Sequence, residues 1–209
     1  MESNELELSR SDVLLKGALA VGALYGLGAV SPYVRAALAD EAKSDVEILN
    51  YLLPFEYLQA SLYSRGKSEI NDKGEKLTLK PDQKELMELL AKQEGEHVAA
   101  VKEMIEELGG KPVEKETYAF AFREYPTLLS LASYLEPIAA GAYNGAIYRL
   151  KSEKAQELTA SIAQIEGRHA AAVLIPQKEE PAPEAFDIGI NEVSAINDVE
   201  VFTGKFPEE

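Results

Sequence analysis

Both histidines of this 209-residue chain stand three positions after a glutamate, as Glu94-x-x-His97 and Glu166-x-x-His169. Each pair sits in an apolar run of helical period, so its two members share one helix face. Two lone glutamates occupy two further apolar helical runs, Glu56 in NYLLPFEYLQASLY and Glu136 in LLSLASYLEPIAAGAY. The order along the chain is therefore Glu, Glu-x-x-His, Glu, Glu-x-x-His. That is the ligand set of a carboxylate-bridged pair of metal ions inside a four-helix bundle. It constrains the fold strongly, because four apolar helices must bring four carboxylates to one level.

Helical spacing places each glutamate among apolar neighbours. Glu94 shares its face with Met87, Leu90, Ala91, Val98 and Val101, while Lys92, Gln93, Glu96, Lys102 and Glu103 fall opposite. Glu166 lies with Thr159, Ile162, Ala163, Ala170 and Val173, and Glu136 with Leu129, Ala132, Ser133, Ala139 and Ala140. Glu56 lies with Leu49, Leu52, Leu53 and Ala60. The predicted helices run from Asp40 to Arg65 with Gly66 as C-cap, Pro81 to Leu108, Thr127 to Leu150, and on to Ile175-Pro176. Glycines 109 and 110 before Pro112 terminate the second, and the aromatic stretch YAFAFREYP crosses to the third. At ~1.5 Å rise per residue, Glu56 and Glu94 both lie roughly 15–18 Å from the first hairpin turn, and Glu136 and Glu166 both lie roughly 20 Å from the second. The ligands are level within each hairpin.

Charge then calls for cations. A buried unpaired carboxylate costs several kcal/mol, and four together repel one another. No lysine or arginine shares these inner faces. Four carboxylates and two neutral imidazoles carry a charge that two divalent ions cancel. Carboxylate with imidazole suits iron, manganese or zinc. A metal-free bundle with satisfied core glutamates is the competing reading. Around the six, Gln59, Tyr63 and Tyr143 are candidates for supporting roles: Gln59 takes the offset from Glu56 that histidine takes elsewhere, and the tyrosines stand two turns beyond the lone glutamates. Pro54 and Pro137 are expected to kink the two helices that carry those glutamates.

A net charge of -15 argues against nucleic acid and against anionic membranes as partners, and concentrates cations near the surface. The chain has no cysteine, which removes disulfides, thiolate ligands, iron–sulfur clusters and a cysteine nucleophile. Residues 40–176 form the expected bundle domain, flanked by residues 1–39 and a Pro- and Glu-rich linker and tail over 177–209. The leader has two readings. Ser9-Arg10-Ser11-Asp12-Val13-Leu14-Leu15-Lys16 resembles a twin-arginine export motif with Ser11 in place of the second arginine, and Ala37-Leu38-Ala39 offers a cleavage site. The rival is a retained extra N-terminal hydrophobic helix over residues 13–39, with Ala18, Gly22 and Gly26 on one face for membrane or helix–helix contact. Export to the cell envelope follows from the first, with a cytoplasmic location as its alternative.

The stretches DVEILNYLLPFEYLQASLYSRG, KQEGEHVAAVKEMIEELGGKP, LASYLEPIAAGAYNGAIYRL and ASIAQIEGRHAAAV resemble the bacterial ferritin-like domain family that includes desiccation-related proteins. Within the wider ferritin-like superfamily of di-metal carboxylate proteins, the resemblance implies an all-α antiparallel four-helix bundle with a di-metal site at Glu56, Glu94, His97, Glu136, Glu166 and His169. It also agrees with export.

These six residues are expected both to hold the metals and to carry any catalysis. Glu94 and Glu166 would bridge, Glu56 and Glu136 would be terminal, and each histidine would hold one ion. The leading expectation is a di-iron oxidoreductase that takes ferrous iron and reduces oxygen or hydrogen peroxide. A di-manganese catalase and a non-catalytic, stress-protective bundle are the alternatives. Self-assembly into a homo-oligomer is a further expectation.

Overall fold

The computed structural model of the chain describes residues 43–71, 73–187, 189, 190, 195 and 202. The expected leader peptide or extra helix over residues 1–39 lies outside the described residues. Among the described residues four helices make up the fold: α1 (Asp45–Ser68), α2 (Pro81–Glu107), α3 (Tyr125–Ile147) and α4 (Glu153–Leu174), the last running into a 3-10 turn at Ile175–Gln177. Among the described residues no helix is long and apolar enough to cross a membrane.

Local chemistry sets each start. The Ser44 hydroxyl accepts from Glu47 N–H at 3.3 Å while Ser44 N–H donates to the Glu47 carboxylate at 2.7 Å. This capping box begins α1 at Asp45, five residues later than the expected Asp40. Pro81 opens α2, where a missing N–H is harmless. Pro126 does the same in the first turn of α3, so that helix begins at Tyr125, ahead of the expected Thr127. Ser152 caps α4. Both oxygens of Asp45 accept from the backbone of the α3–α4 turn, at Lys151 (2.8 Å) and Ser152 (2.6 Å), tying the two hairpins together.

Gly66 corrects the expected C-cap. Helix α1 continues through it to Ser68, and Glu69 takes the left-handed conformation instead (φ 56). A Cβ on Gly66 would sit 2.8 Å from both Leu128 Cδ1 and Met87 Sδ. The glycine lets three helices approach, which is a tertiary requirement and not a terminating one. Both helices also pass through Pro54 and Pro137 without interruption.

The hairpins α1–α2 and α3–α4 pack side by side, with α1 against α3 and α2 against α4. The α2–α3 crossover runs along α1. Asn50 brackets it through Lys111 O and Val113 N, and the hydroxyls of Tyr57 and Tyr118 donate to Val113 O and Pro54 O. Tyr118, Phe120 and Phe122 are buried there. The described parts of the tail return to the bundle. Ile190 N–H donates to Gly141 O at 2.8 Å, Ala119 N–H donates to Phe202 O, and Phe202 is buried between Phe120 and Tyr134. A Cβ on Gly145 would collide with the Ile190 carbonyl. Helix α3 is apolar on nearly every face because its outer side is covered too.

Candidate metal centre

All six expected residues meet in the middle of the bundle. Glu56, Glu94, Glu136 and Glu166 are fully buried, one from each helix, and both histidines are buried beside them. They form two overlapping groups of ligand atoms, each spanning no more than 4.8 Å. One is Glu56, Glu94, His97 and Glu166; the other is Glu94, Glu136, Glu166 and His169. Glu94 and Glu166 belong to both, so a carboxylate from α2 and one from α4 stand between two ion-sized positions. The bundle therefore carries a buried glutamate–histidine site of the kind that holds a carboxylate-bridged metal pair.

The donor atoms point inward and face one another, with no hydrogen-bond partner outside the cluster. His97 Nδ1 lies 3.0 Å from Glu166 Oε1, 3.2 Å from Glu56 Oε2 and 3.6 Å from Glu94 Oε2. His169 Nδ1 lies 2.7 Å from Glu94 Oε1, with Glu136 Oε2 at 3.7 Å and Glu166 Oε1 at 3.9 Å. None of these atoms makes a directed hydrogen bond. Buried polar atoms are otherwise nearly always satisfied, so this cluster is the signature of a group that binds by lone pairs. The residues fit a pair of divalent ions.

Supporting contacts hold the opposite side of each ligand. Tyr63 O–H donates to Glu136 Oε1, leaving Oε2 free to face His169. The Gln59 amide donates to Glu166 Oε2 at 3.1 Å, leaving Oε1 facing both imidazoles. The Tyr143 hydroxyl faces the Glu56 carboxylate without completing a hydrogen bond. The pairings Tyr63–Glu136 and Glu56–Tyr143 run in opposite senses along α1 and α3, as antiparallel neighbours require. The three residues expected to assist thus all face the site.

One contact departs from expectation. Helical spacing puts Gln93 on the outer side of α2, yet its Oε1 lies 2.8 Å from His169 Nε2 on α4. The helical wheel of α2 alone puts this residue off the inner face; the seam with α4 brings it within reach. A neutral His169 that donates Nε2–H to Gln93 keeps its Nδ1 lone pair pointing at the carboxylates. The two imidazoles lie face to face, ring centroids 5.7 Å apart.

Electrostatics show what the cluster lacks. Burial pushes Glu94 and Glu136 well above the usual carboxylate range and brings Glu166 to about 8, and neighbouring glutamate charges add to each shift. Burial alone would lower His97, but the carboxylates of Glu166, Glu56 and Glu94 outweigh it and push the imidazole up to about 12. Burial, then the charge on His97, takes His169 down to about 3. Burial and the nearby glutamates also raise Tyr63 and Tyr143 well above their ordinary value. Without positive ions, the cluster must gather protons.

Residues 44–176 match the ferritin-like domain family. Among solved structures, a conserved hypothetical protein from Mycobacterium tuberculosis superposes with a TM-score of 0.55 at 16% identity, over 68% of this chain and 96% of that one. A dodecameric thioferritin, the bacterioferritin-related protein of Bacteroides fragilis, gives a TM-score of 0.50 at 19% identity, over 69% and 91%. No curated protein matches. At these identities the two structures show the shared fold alone. The bundle and its family match make this chain, over residues 44–176, a member of the ferritin-like domain family.

Proposed function

We propose that the protein is a di-iron oxidoreductase whose substrates are ferrous iron and oxygen or hydrogen peroxide. One observation carries the reading: two four-residue ligand groups share Glu94 and Glu166, and their inward atoms face only one another, with no hydrogen-bond partner outside the cluster. Glu56 and His97 would hold one ion, Glu136 and His169 the other, with Glu94 and Glu166 across both. Two ferrous ions bound there would supply two electrons for the reduction of oxygen or peroxide. The protein's own part is to bind, orient and exclude water. Gln59 and Tyr63 hold Glu166 and Glu136 by one oxygen each, so the other oxygen stays aimed at the site. Leu52, Leu53, Leu90, Ile162 and Ala132, buried on the same helices as the ligands, would limit the access of bulk water, which would strengthen the charge interactions inside. Tyr63, protonated and buried against Glu136, is the side chain placed to keep a proton beside that carboxylate.

Metal-stripped protein loaded anaerobically with ferrous iron and then exposed to air tests this. Oxygen uptake with a rising ferric absorption band is expected, and Glu94→Ala with His97→Ala should abolish both. Absence of both signals in the unaltered protein would remove the assignment. The same ligands accept manganese, so protein offered both metals should be analysed for content and assayed for peroxide disproportionation. Manganese loading with catalase activity would replace iron in this account. The proposed export of the chain is checked separately, by mass spectrometry of the native N-terminus.

A further inference from the structure

The two halves of the centre are related by an internal two-fold correspondence. It carries Glu56 to Glu136, Glu94 to Glu166, His97 to His169 and Tyr63 to Tyr143. Gln93, the residue before Glu94, corresponds to Ile165, the residue before Glu166. The correspondence therefore breaks where the histidines find their outer support. His169 Nε2 meets the Gln93 amide oxygen at 2.8 Å, whereas the residue equivalent to Gln93 for His97 is an isoleucine with no acceptor. Burial breaks in the same direction, with His97 9% exposed and His169 3%. A ring held at its far nitrogen loses less freedom when it binds, presents a fixed tautomer and is a more basic donor.

We infer that Gln93 is a positioning residue that fixes His169 as a ligand and makes the Glu136–His169 metal position the tighter of the two. The Glu56–His97 position, whose imidazole lacks that support and touches solvent, is then the exchangeable one. This rests on the two-metal reading above. Its consequence is sequential loading: the first ion goes to the His169 side, and the second binds and leaves at His97.

Cobalt(II) titration of the full-length, chelator-stripped protein under anaerobic conditions tests this, followed by calorimetry and by visible absorption. The unaltered chain should bind two cobalt ions in two resolved steps. Gln93→Leu should weaken the tighter step about 10–100-fold and leave the weaker one within about twofold. Gln93→Glu, which keeps an acceptor, should restore it. Should Gln93→Leu fail to fold, Ile165→Gln carries the test, because an acceptor offered to His97 should tighten the weaker step. Equal steps in the unaltered chain overturn the inference, as does a Gln93→Leu variant that moves neither step or both alike, or an Ile165→Gln variant that tightens nothing. Failure of the unaltered chain to bind any cobalt removes the two-metal reading itself; two bound ions indifferent to Gln93 remove only this inference.

Discussion

Carboxylates on the outside of this bundle and carboxylates in its middle live under different rules. Outside, Glu69 meets Lys84 at 2.7 Å and Glu107 meets Lys154 at 3.1 Å, each beside water and each with a cation of the chain's own. Inside, Glu56, Glu94, Glu136 and Glu166 face one another with two imidazoles and, among the described residues, no buried lysine or arginine. Surface pairs of the first kind add little to stability. The interior set is a standing cost unless cations or protons fill it. The difference teaches that the inner glutamates call for an occupant, as the proposed metal pair would be, since as packing elements they are inferior to leucine.

The largest effect should come from the residue that both ligand groups share. Glu94→Gln keeps the shape and removes a charge, and should abolish binding of the metal pair as read by elemental analysis. The metal-free form of that variant should be about as stable as the unaltered bundle, because burial already favours the protonated, neutral Glu94 there and glutamine keeps that shape without charge. A large loss of metal-free stability would instead make Glu94 a structural residue. Next, adding a divalent metal to stripped protein should stabilise it by about 2.7 kcal/mol per site at about 100 times Kd, read as a rise in Tm. Surface pairs offer no such gain, so an unchanged Tm would erase the contrast.

Tyr63→Phe tests the contact at Glu136. It leaves Oε1 of a buried carboxylate without its donor and should cost about 1–3 kcal/mol in denaturant unfolding, more than any surface pair. Dependence on pH separates the two populations again. Glu166 sits at about 8 in the folded metal-free protein, above the ordinary 4.5 that it regains on unfolding. Its stabilising contribution is therefore complete below about 4.5 and is lost as pH climbs to about 8. Metal-free protein should melt lower at pH 8 than at pH 5, by roughly 2–4 °C for each kcal/mol involved, and metal should reverse the trend because it needs the ionised ligands. A metal-free melting curve that is flat over this range contradicts the assignment of Glu166. The smallest effect is expected at the surface, where Glu107→Gln should alter stability by no more than ~1 kcal/mol.

Much of the centre was legible in the sequence because one helical period governs it. Glu94 and His97 share a face whatever the partner helix does, and equal distances from the hairpin turns brought the ligands level. What escaped depends on neighbours that no single helix reveals. Gly66 looked like a terminator, but Leu128 and Met87 decide its role from two other helices. Gln93 looked solvent-facing, but α4 passes close enough for its amide to reach His169. The tail gave no periodic signal, and the docking of its described residues depends on the Gly141 carbonyl and on the space left at Gly145, where a Cβ would meet the Ile190 carbonyl. Periodic patterns report which face is inward; they do not report which outer residue a neighbouring helix will meet.

The account stands most directly on an anomalous diffraction experiment with crystals of full-length protein supplied with iron. Two peaks are expected within the bundle, one among Glu56, Glu94, His97 and Glu166 and the other among Glu94, Glu136, Glu166 and His169. An empty centre, or metal found only beside surface carboxylates, would contradict it.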